Sequence, residues 1–200
     1  MSDTVPGPDG RPRCRWHAAA PDFLVYHDSE WGFPVGDERR LFEKLSLEGF
    51  QSGLSWRTIL AKRENFRAAF HDFDIERVAR FGARDVARLL KSEGIIRHRG
   101  KIEAVINNAQ RAREMIAREG SLAAFLWRYE PEALPRPQTV STSAESVALS
   151  KELKKRGWRF VGPTTVYAFM QAMGLVNDHA TGCIVRAKVE AARRAFRRPG

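Results

Sequence analysis

Lys154–Gly174, K-K-R-G-W-R-F-V-G-P-T-T-V-Y-A-F-M-Q-A-M-G, is the stretch on which the fold turns. It reads as a helix, a tight turn and a second helix. Gly157 follows a run of helix formers, where a left-handed residue closes a helix, and Gly162-Pro163 opens the next one with proline in its first turn. Val166, Phe169, Met170 and Met173 then share one face, so the second helix buries a side. The amides from Gly162 to Thr165 lie outside the carbonyl ladder of their own helix, and such an N-terminus attracts phosphate. With Lys154, Lys155, Arg156 and Arg159 on the approach, these residues fit either a backbone-binding hairpin for nucleic acid or an ordinary helix-loop-helix.

The composition narrows the setting. At 200 residues, 43% hydrophobic and 29% charged, the chain suits one compact domain or two small lobes on a shared core. No apolar run reaches the ~18 residues of a membrane span, and Met1–Arg13 lacks the apolar core of a signal peptide, so a cytoplasmic protein is expected. A net charge of +10 favours a polyanionic partner over an acidic small molecule. Two cysteines exclude a disulfide framework and leave buried thiols or metal ligands.

Outward from the hairpin, the segments read as short amphipathic helices, and none alternates well enough to demand a strand. Met1–Arg13 is Pro/Gly-rich, without periodicity, and is expected to be mobile. A helix from Asp37 stacks Leu41 and Leu45; three residues on, the same stripe carries Glu48, either at a frayed end facing water or directed into a pocket. Phe50–Trp56, F-Q-S-G-L-S-W, connects to a helix that Ser55 caps. Further helices are expected over Glu64–Phe70, over Asp74–Phe81 with Asp74 as cap, and over Arg84–Ser92. A long helix with Ile102, Val105, Ile106, Ala109 and Ile116 on one side closes at Gly120. Ser121 caps the next, and Pro131, Pro135 and Pro137 mark a loop. Thr142-Ser143-Ala144-Glu145 fits a reciprocal capping box. The basic run Arg186–Arg198 is either a helix lying on DNA or a disordered arm.

Leu175–Cys183, L-V-N-D-H-A-T-G-C, spaces His179 and Cys183 four apart, so that one helical turn would present both. Cys14 and His27 complete a Cys₂His₂ set of the kind zinc prefers. The alternative is two buried thiols and two incidental histidines. If all four bind, no position is left for water, which makes the metal structural and excludes a zinc hydrolase.

The motifs C-R-W, Y-H-D-S-E-W-G, L-E-G-F-Q-S-G-L-S-W, K-R-E-N-F-R, G-I-I-R-H-R-G-K-I, S-T-S, K-K-R-G-W-R-F-V-G and G-L-V-N-D-H run in order from Cys14 to Cys183. Together they resemble the bacterial type I 3-methyladenine DNA glycosylases, a branch of the helix-hairpin-helix glycosylases. Phe160 stands where the commoner hairpin has its first glycine.

The resemblance implies an all-α helix-hairpin-helix fold with one structural Zn²⁺ per chain tying the N- and C-terminal segments together. It divides the chain into a disordered tail over 1–13, a helical glycosylase domain over 14–185 and a basic tail over 186–200. It assigns Cys14, His27, His179 and Cys183 to the metal, Glu48 to recognition of the lesion, Trp56 to stacking on the base, and Tyr26, Trp16 and Trp31 to the pocket. It implies flipping and hydrolytic removal of N3-methyladenine from alkylated double-stranded DNA by a bacterial, nucleoid-associated monomer with no membrane partner. Catalysis falls to Glu48 and Tyr26. DNA contacts fall to Gln51, Gly53 and Leu54, with Leu54 as wedge or core residue, and to Gly162, Thr164 and Thr165 of the hairpin. Arg97, Arg99 and Lys101 either support the DNA backbone or form a solvated basic turn. Thr164 occupies the position of the lysine found in strand-cleaving relatives, so a monofunctional enzyme is expected. The competing reading is a zinc-stabilised, non-catalytic DNA-binding module, which has no use for a carboxylate among aromatic rings.

Overall fold

The computed structural model describes residues 3–132, 136–138 and 140–200; Pro135, expected in a loop, lies outside them. In chain order the elements are β1 (Thr4–Pro6), β2 (Pro12–Cys14), α1 (Phe23–Ser29), α2 (Glu38–Gln51), α3 (Trp56–Ala61), α4 (Arg63–Ala69), α5 (Ile75–Val78), α6 (Ala83–Leu90), α7 (Arg99–Glu119), α8 (Leu122–Trp127), α9 (Ala144–Lys155), α10 (Pro163–Ala172) and α11 (Arg186–Ala195). The fold is therefore mostly helical. Its helix starts follow side-chain caps: Asp37, Ser55, Asp74, Ser121 and Ser143 each accept from a backbone N–H of the first turn, satisfying donors that the helix leaves free.

α2 runs through the centre, packed by α10, α3, α7 and α8. Leu41, Phe42, Leu45, Leu47 and Phe50 are all buried on it, so almost its whole circumference meets protein. Glu43, Lys44, Ser46 and Glu48 are buried with them. A cluster of Phe50, Phe66, Phe70 and Phe73 fills the space beneath its C-terminal half, with centroids from 4.6 to 6.4 Å apart.

The hairpin between α9 and α10 takes the expected form. Gly157 adopts φ 83 and closes α9, while Gly162 and Pro163 open α10. Phe160 adopts φ 55, so a bulky residue holds the left-handed conformation that glycine would take at little cost. Polar clamps from α7 and α9 maintain it. Asn108 accepts from the Arg159 amide at 2.8 Å and donates to the Arg159 carbonyl at 2.9 Å. Asn107 donates to the Gly157 carbonyl at 2.8 Å, and Ser150 to that of Val161 at 2.6 Å.

Three sequence expectations differ from the structure, and one left open is decided by it. Within the Met1–Arg13 stretch read as a mobile tail, β1 pairs antiparallel with β2, and Arg13 is buried between Asp9 and Asp28. The basic C-terminal stretch is helical over Arg186–Ala195 and packs on the body through buried Val189; Arg193 and Arg198 both pair with Glu130. The capping box lies one residue later than expected, between Ser143 and Ser146, because Ser143 is the extended residue that immediately precedes the helix. His179 and Cys183 sit in an irregular turn instead of a helical one, closed by the Cys183 amide on the Ala180 carbonyl at 2.8 Å.

Asn108→Ala removes a buried side chain and leaves both the amide and the carbonyl of Arg159 without this partner at a part-buried position. It is expected to lower unfolding free energy by about 2 kcal/mol in urea denaturation, and an unchanged midpoint would show that the clamp does not hold the hairpin.

Candidate active site and metal centre

Because α2 is enclosed, Glu48 does not reach water at a frayed end: the helix continues past Gly49 to Gln51, and the residue is 5% exposed. Lys44, one turn earlier, places its Nζ 3.0 Å from Glu48 Oε1. The same ammonium donates to the Tyr26 hydroxyl at 2.6 Å and sits 3.4 Å from the centroid of the Trp56 ring. Burial draws the Lys44 pKa down, against the opposing pull of Glu48. Burial and the charges of Glu48 and Glu30 push the Tyr26 hydroxyl well above its ordinary value.

Aromatic rings enclose this charge pair. Tyr26 lies 5.5 Å from Trp56 and 6.2 Å from Trp16, and Trp16 meets Trp31 edge-on at 5.2 Å. A cavity of about 20 Å³ remains, lined by Tyr26, Lys44, Trp56 and Met173 and rimmed by Glu30, Glu43, Arg63 and Arg67. The rim is locked by ion pairs. Arg63 grips Glu30 with two hydrogen bonds of 2.6 and 2.9 Å, and Arg67 holds Glu43 at 2.8 Å.

Beside the rings, Cys14, His27, His179 and Cys183 bring their donor atoms within 4.8 Å of one another, all buried. Cys14 Sγ and Cys183 Sγ lie 3.5 and 3.7 Å from His179 Nδ1, and Cys183 Sγ lies 3.5 Å from His27 Nε2. A tetrahedron with Zn–S near 2.3 Å and Zn–N near 2.0 Å has an S···N edge of about 3.5 Å, so the donor set fits that ion. The far nitrogens are oriented as well: His27 Nδ1 faces Asp28 at 2.7 Å, and His179 Nε2 faces the Trp31 carbonyl at 2.9 Å. The Cys183 thiol, hydrogen-bonded to Cys14 and both imidazoles, is pushed down, while Cys14, facing Cys183 in a buried site, is pushed up. Cluster and rings share walls, since Trp16 packs on His27 at 5.1 Å and Trp31 on His179 at 4.7 Å.

The residues assigned to DNA fall in two loops. Gly53, at φ 78, and Leu54, 41% exposed, occupy the turn between α2 and α3, with Gln51 at its start. Thr164 is exposed and Gly162 and Thr165 half-buried at the start of α10, where Pro163 carries no N–H. The hairpin rests on α2, since a Cβ on Gly49 would lie 3.4 Å from both Cβ and the carbonyl oxygen of Phe160. Lys101 is not a backbone contact for DNA. It is buried and donates to the carbonyls of Phe50 at 2.8 Å and Ser52 at 2.5 Å, capping the end of α2. Asp178, which follows the hairpin, is engaged by Tyr167 at 2.6 Å, Gln171 at 2.9 Å and the Gln138 amide at 2.8 Å. The Lys44 ammonium was the functional group that sequence reading passed over; its i,i+4 spacing from Glu48 was the available signal.

A family model described as methyladenine glycosylase matches residues 16–187. The chain is 49% identical over 177 residues to DNA-3-methyladenine glycosylase 1 of Escherichia coli (strain K12), covering 86% of this chain and 95% of that protein. It is 45% identical to the DNA-3-methyladenine glycosylase of Haemophilus influenzae (strain ATCC 51907 / DSM 11121 / KW20 / Rd), over 86% of this chain and 96% of that one. Among solved structures, a variant of a 3-methyladenine DNA glycosylase I in complex with 3-methyladenine superposes with a TM-score of 0.80 at 39% identity, covering 84% of this chain and 93% of the other.

Proposed function

The chain belongs to the methyladenine glycosylase family, and from that premise we infer that it is a DNA-3-methyladenine glycosylase, a hydrolase of N-glycosidic bonds acting in base-excision repair. The observation that carries the reading is Glu48, a buried carboxylate paired with Lys44, whose ammonium also meets the Tyr26 hydroxyl and the face of Trp56. While attached to the sugar, N3-methyladenine is cationic. A buried carboxylate therefore favours it over neutral adenine, and the interaction is stronger than it would be in water.

A base inside a duplex is out of reach of such a pocket, so the nucleotide rotates outward at a cost of a few kcal/mol. Stacking on an aromatic side chain returns roughly 1–3 kcal/mol per base. Trp56 is placed to provide it, with Trp16, Trp31 and Tyr26 as walls. Leu54 enters the gap left in the duplex, and Gln51 and Gly53 shape that turn. The amides at the start of α10, around Gly162, Thr164 and Thr165, receive a backbone phosphate. The positive charge on the base already weakens the glycosidic bond. Glu48 and the Tyr26 hydroxyl therefore act on an oxocarbenium-like sugar with little leaving-group activation, and water completes the hydrolysis. Thr164 offers no amine, so no imine forms with the sugar and the strand is left intact.

Cys14, His27, His179 and Cys183 hold one structural zinc ion, which when bound closes its own coordination shell and supplies cross-linking but no reactive water. The enzyme acts as a monomer on alkylated double-stranded DNA. No helix among the described residues is long and apolar enough to cross a membrane, and DNA as substrate places the enzyme in the bacterial cytoplasm.

Methylated duplex DNA incubated with the protein is expected to release 3-methyladenine, resolved by chromatography, with strands uncut before alkali. Glu48→Gln should lose about 100-fold or more in rate, the magnitude of removing a key electrostatic contact. DNA binding without base release would favour the non-catalytic module instead. Metal analysis should find about one zinc per chain, and Cys183→Ser should lose both the metal and several degrees of melting temperature. Equal stability in the metal-free protein would remove zinc from the account.

A further inference from the structure

Granting the reading above, the base-recognition site already contains a cation. The Lys44 ammonium meets the Glu48 carboxylate at 3.0 Å, the Tyr26 hydroxyl at 2.6 Å and the face of Trp56 at 3.4 Å. Those are the partners a flipped cationic base would need: a carboxylate for its charge and a ring face for its plane. The Trp56 distance is itself a stacking distance, so ammonium and base exclude each other from that face. The enclosed space beside them is about 20 Å³, room for a water molecule and far too little for a purine. A purine enters only if something leaves.

We propose that Lys44 is a tethered stand-in for the cationic base, occupying the site between Glu48 and Trp56 in the unbound protein and exchanged for the base on binding. The rim beside this site carries Glu30 and Glu43, held by Arg63 and Arg67, with Arg40 nearby; Arg63 repels the Lys44 ammonium and Glu30 attracts it. A four-carbon stem can carry the ammonium toward that rim, where hydration replaces the contacts it gives up. In its resting position it also spares Glu48 from standing buried and uncompensated.

Competition of this kind has a definite signature. Lys44 weakens every base by the same factor, because the displaced state is common to all of them. It sets how tightly bases bind, while the preference among bases stays with Glu48. The ammonium is thus a specificity-neutral affinity brake on the site.

Calorimetric titration of free 3-methyladenine and of adenine into the intact protein, Lys44→Met and Lys44→Gln tests the proposal. Lys44→Met keeps most of the stem without the charge; Lys44→Gln keeps a neutral donor for Glu48 and guards against misfolding of the first variant. Both should bind 3-methyladenine about tenfold more tightly than the parent protein, with the ratio between 3-methyladenine and adenine unchanged. The melting temperature of Lys44→Met should be lower without base and rise more with it, a pattern that a purely structural lysine would not give. Equal or weaker binding by folded variants, while the parent protein still releases 3-methyladenine from DNA, overturns the stand-in and makes Lys44 a base-positioning residue. If the parent neither binds the base nor releases it, the glycosylase reading falls first and the inference with it.

Discussion

A carboxylate buried among aromatic rings needs a positive partner, and that requirement organises this protein. Glu48 cannot escape to solvent because α2 is enclosed on nearly every side. Losing the partner would leave an isolated charge in a medium that solvates it poorly. In the unbound protein Lys44 provides the charge. Under the proposed function the same demand makes the site selective, since a nucleotide base that arrives with its own positive charge satisfies Glu48 and a neutral one does not.

Such a site works only if its walls are rigid, and several long-range devices make them so. The Cys/His cluster joins the end of β2, α1 and the turn after α10, and its His179 holds the carbonyl of Trp31. Lys101 caps the end of α2 where the turn carrying Leu54 begins. Arg63 and Arg67 lock the acidic rim. The hairpin is carried on the same α2, through the close approach of Phe160 to Gly49. One helix thus positions both the pocket and the hairpin that opens α10.

Much of this was legible in sequence where the controlling physics is local. Asp37, Ser55, Asp74 and Ser121 begin helices because a short polar side chain reaches the amide three residues on. Gly157 and Gly162-Pro163 mark the hairpin for equally local reasons. What escaped depends on distant partners or uncommon conformations. Asn108 clamps Arg159 across 51 residues, and nothing in the neighbourhood of either announces it. The β1–β2 hairpin lacks an alternating pattern, and its Arg13 draws on Asp28 from α1. Phe160 takes a left-handed backbone that its residue type disfavours. Lys44 and Glu48 have the spacing of an ordinary solvent-facing pair, and only the enclosure of α2 gives them another meaning. The cluster residues were identifiable by type, but their irregular turn was not readable from a spacing that also suits a helix.

The account rests on Lys44 and the base excluding each other at Glu48 and Trp56, and a crystal structure of the protein with 3-methyladenine bound views that exclusion directly. The base is predicted to lie on the face of Trp56 with a hydrogen bond to Glu48, and with Lys44 Nζ moved away toward the solvent-facing rim. A base held elsewhere, with the Lys44–Glu48 pair and the Trp56 contact intact, would contradict it.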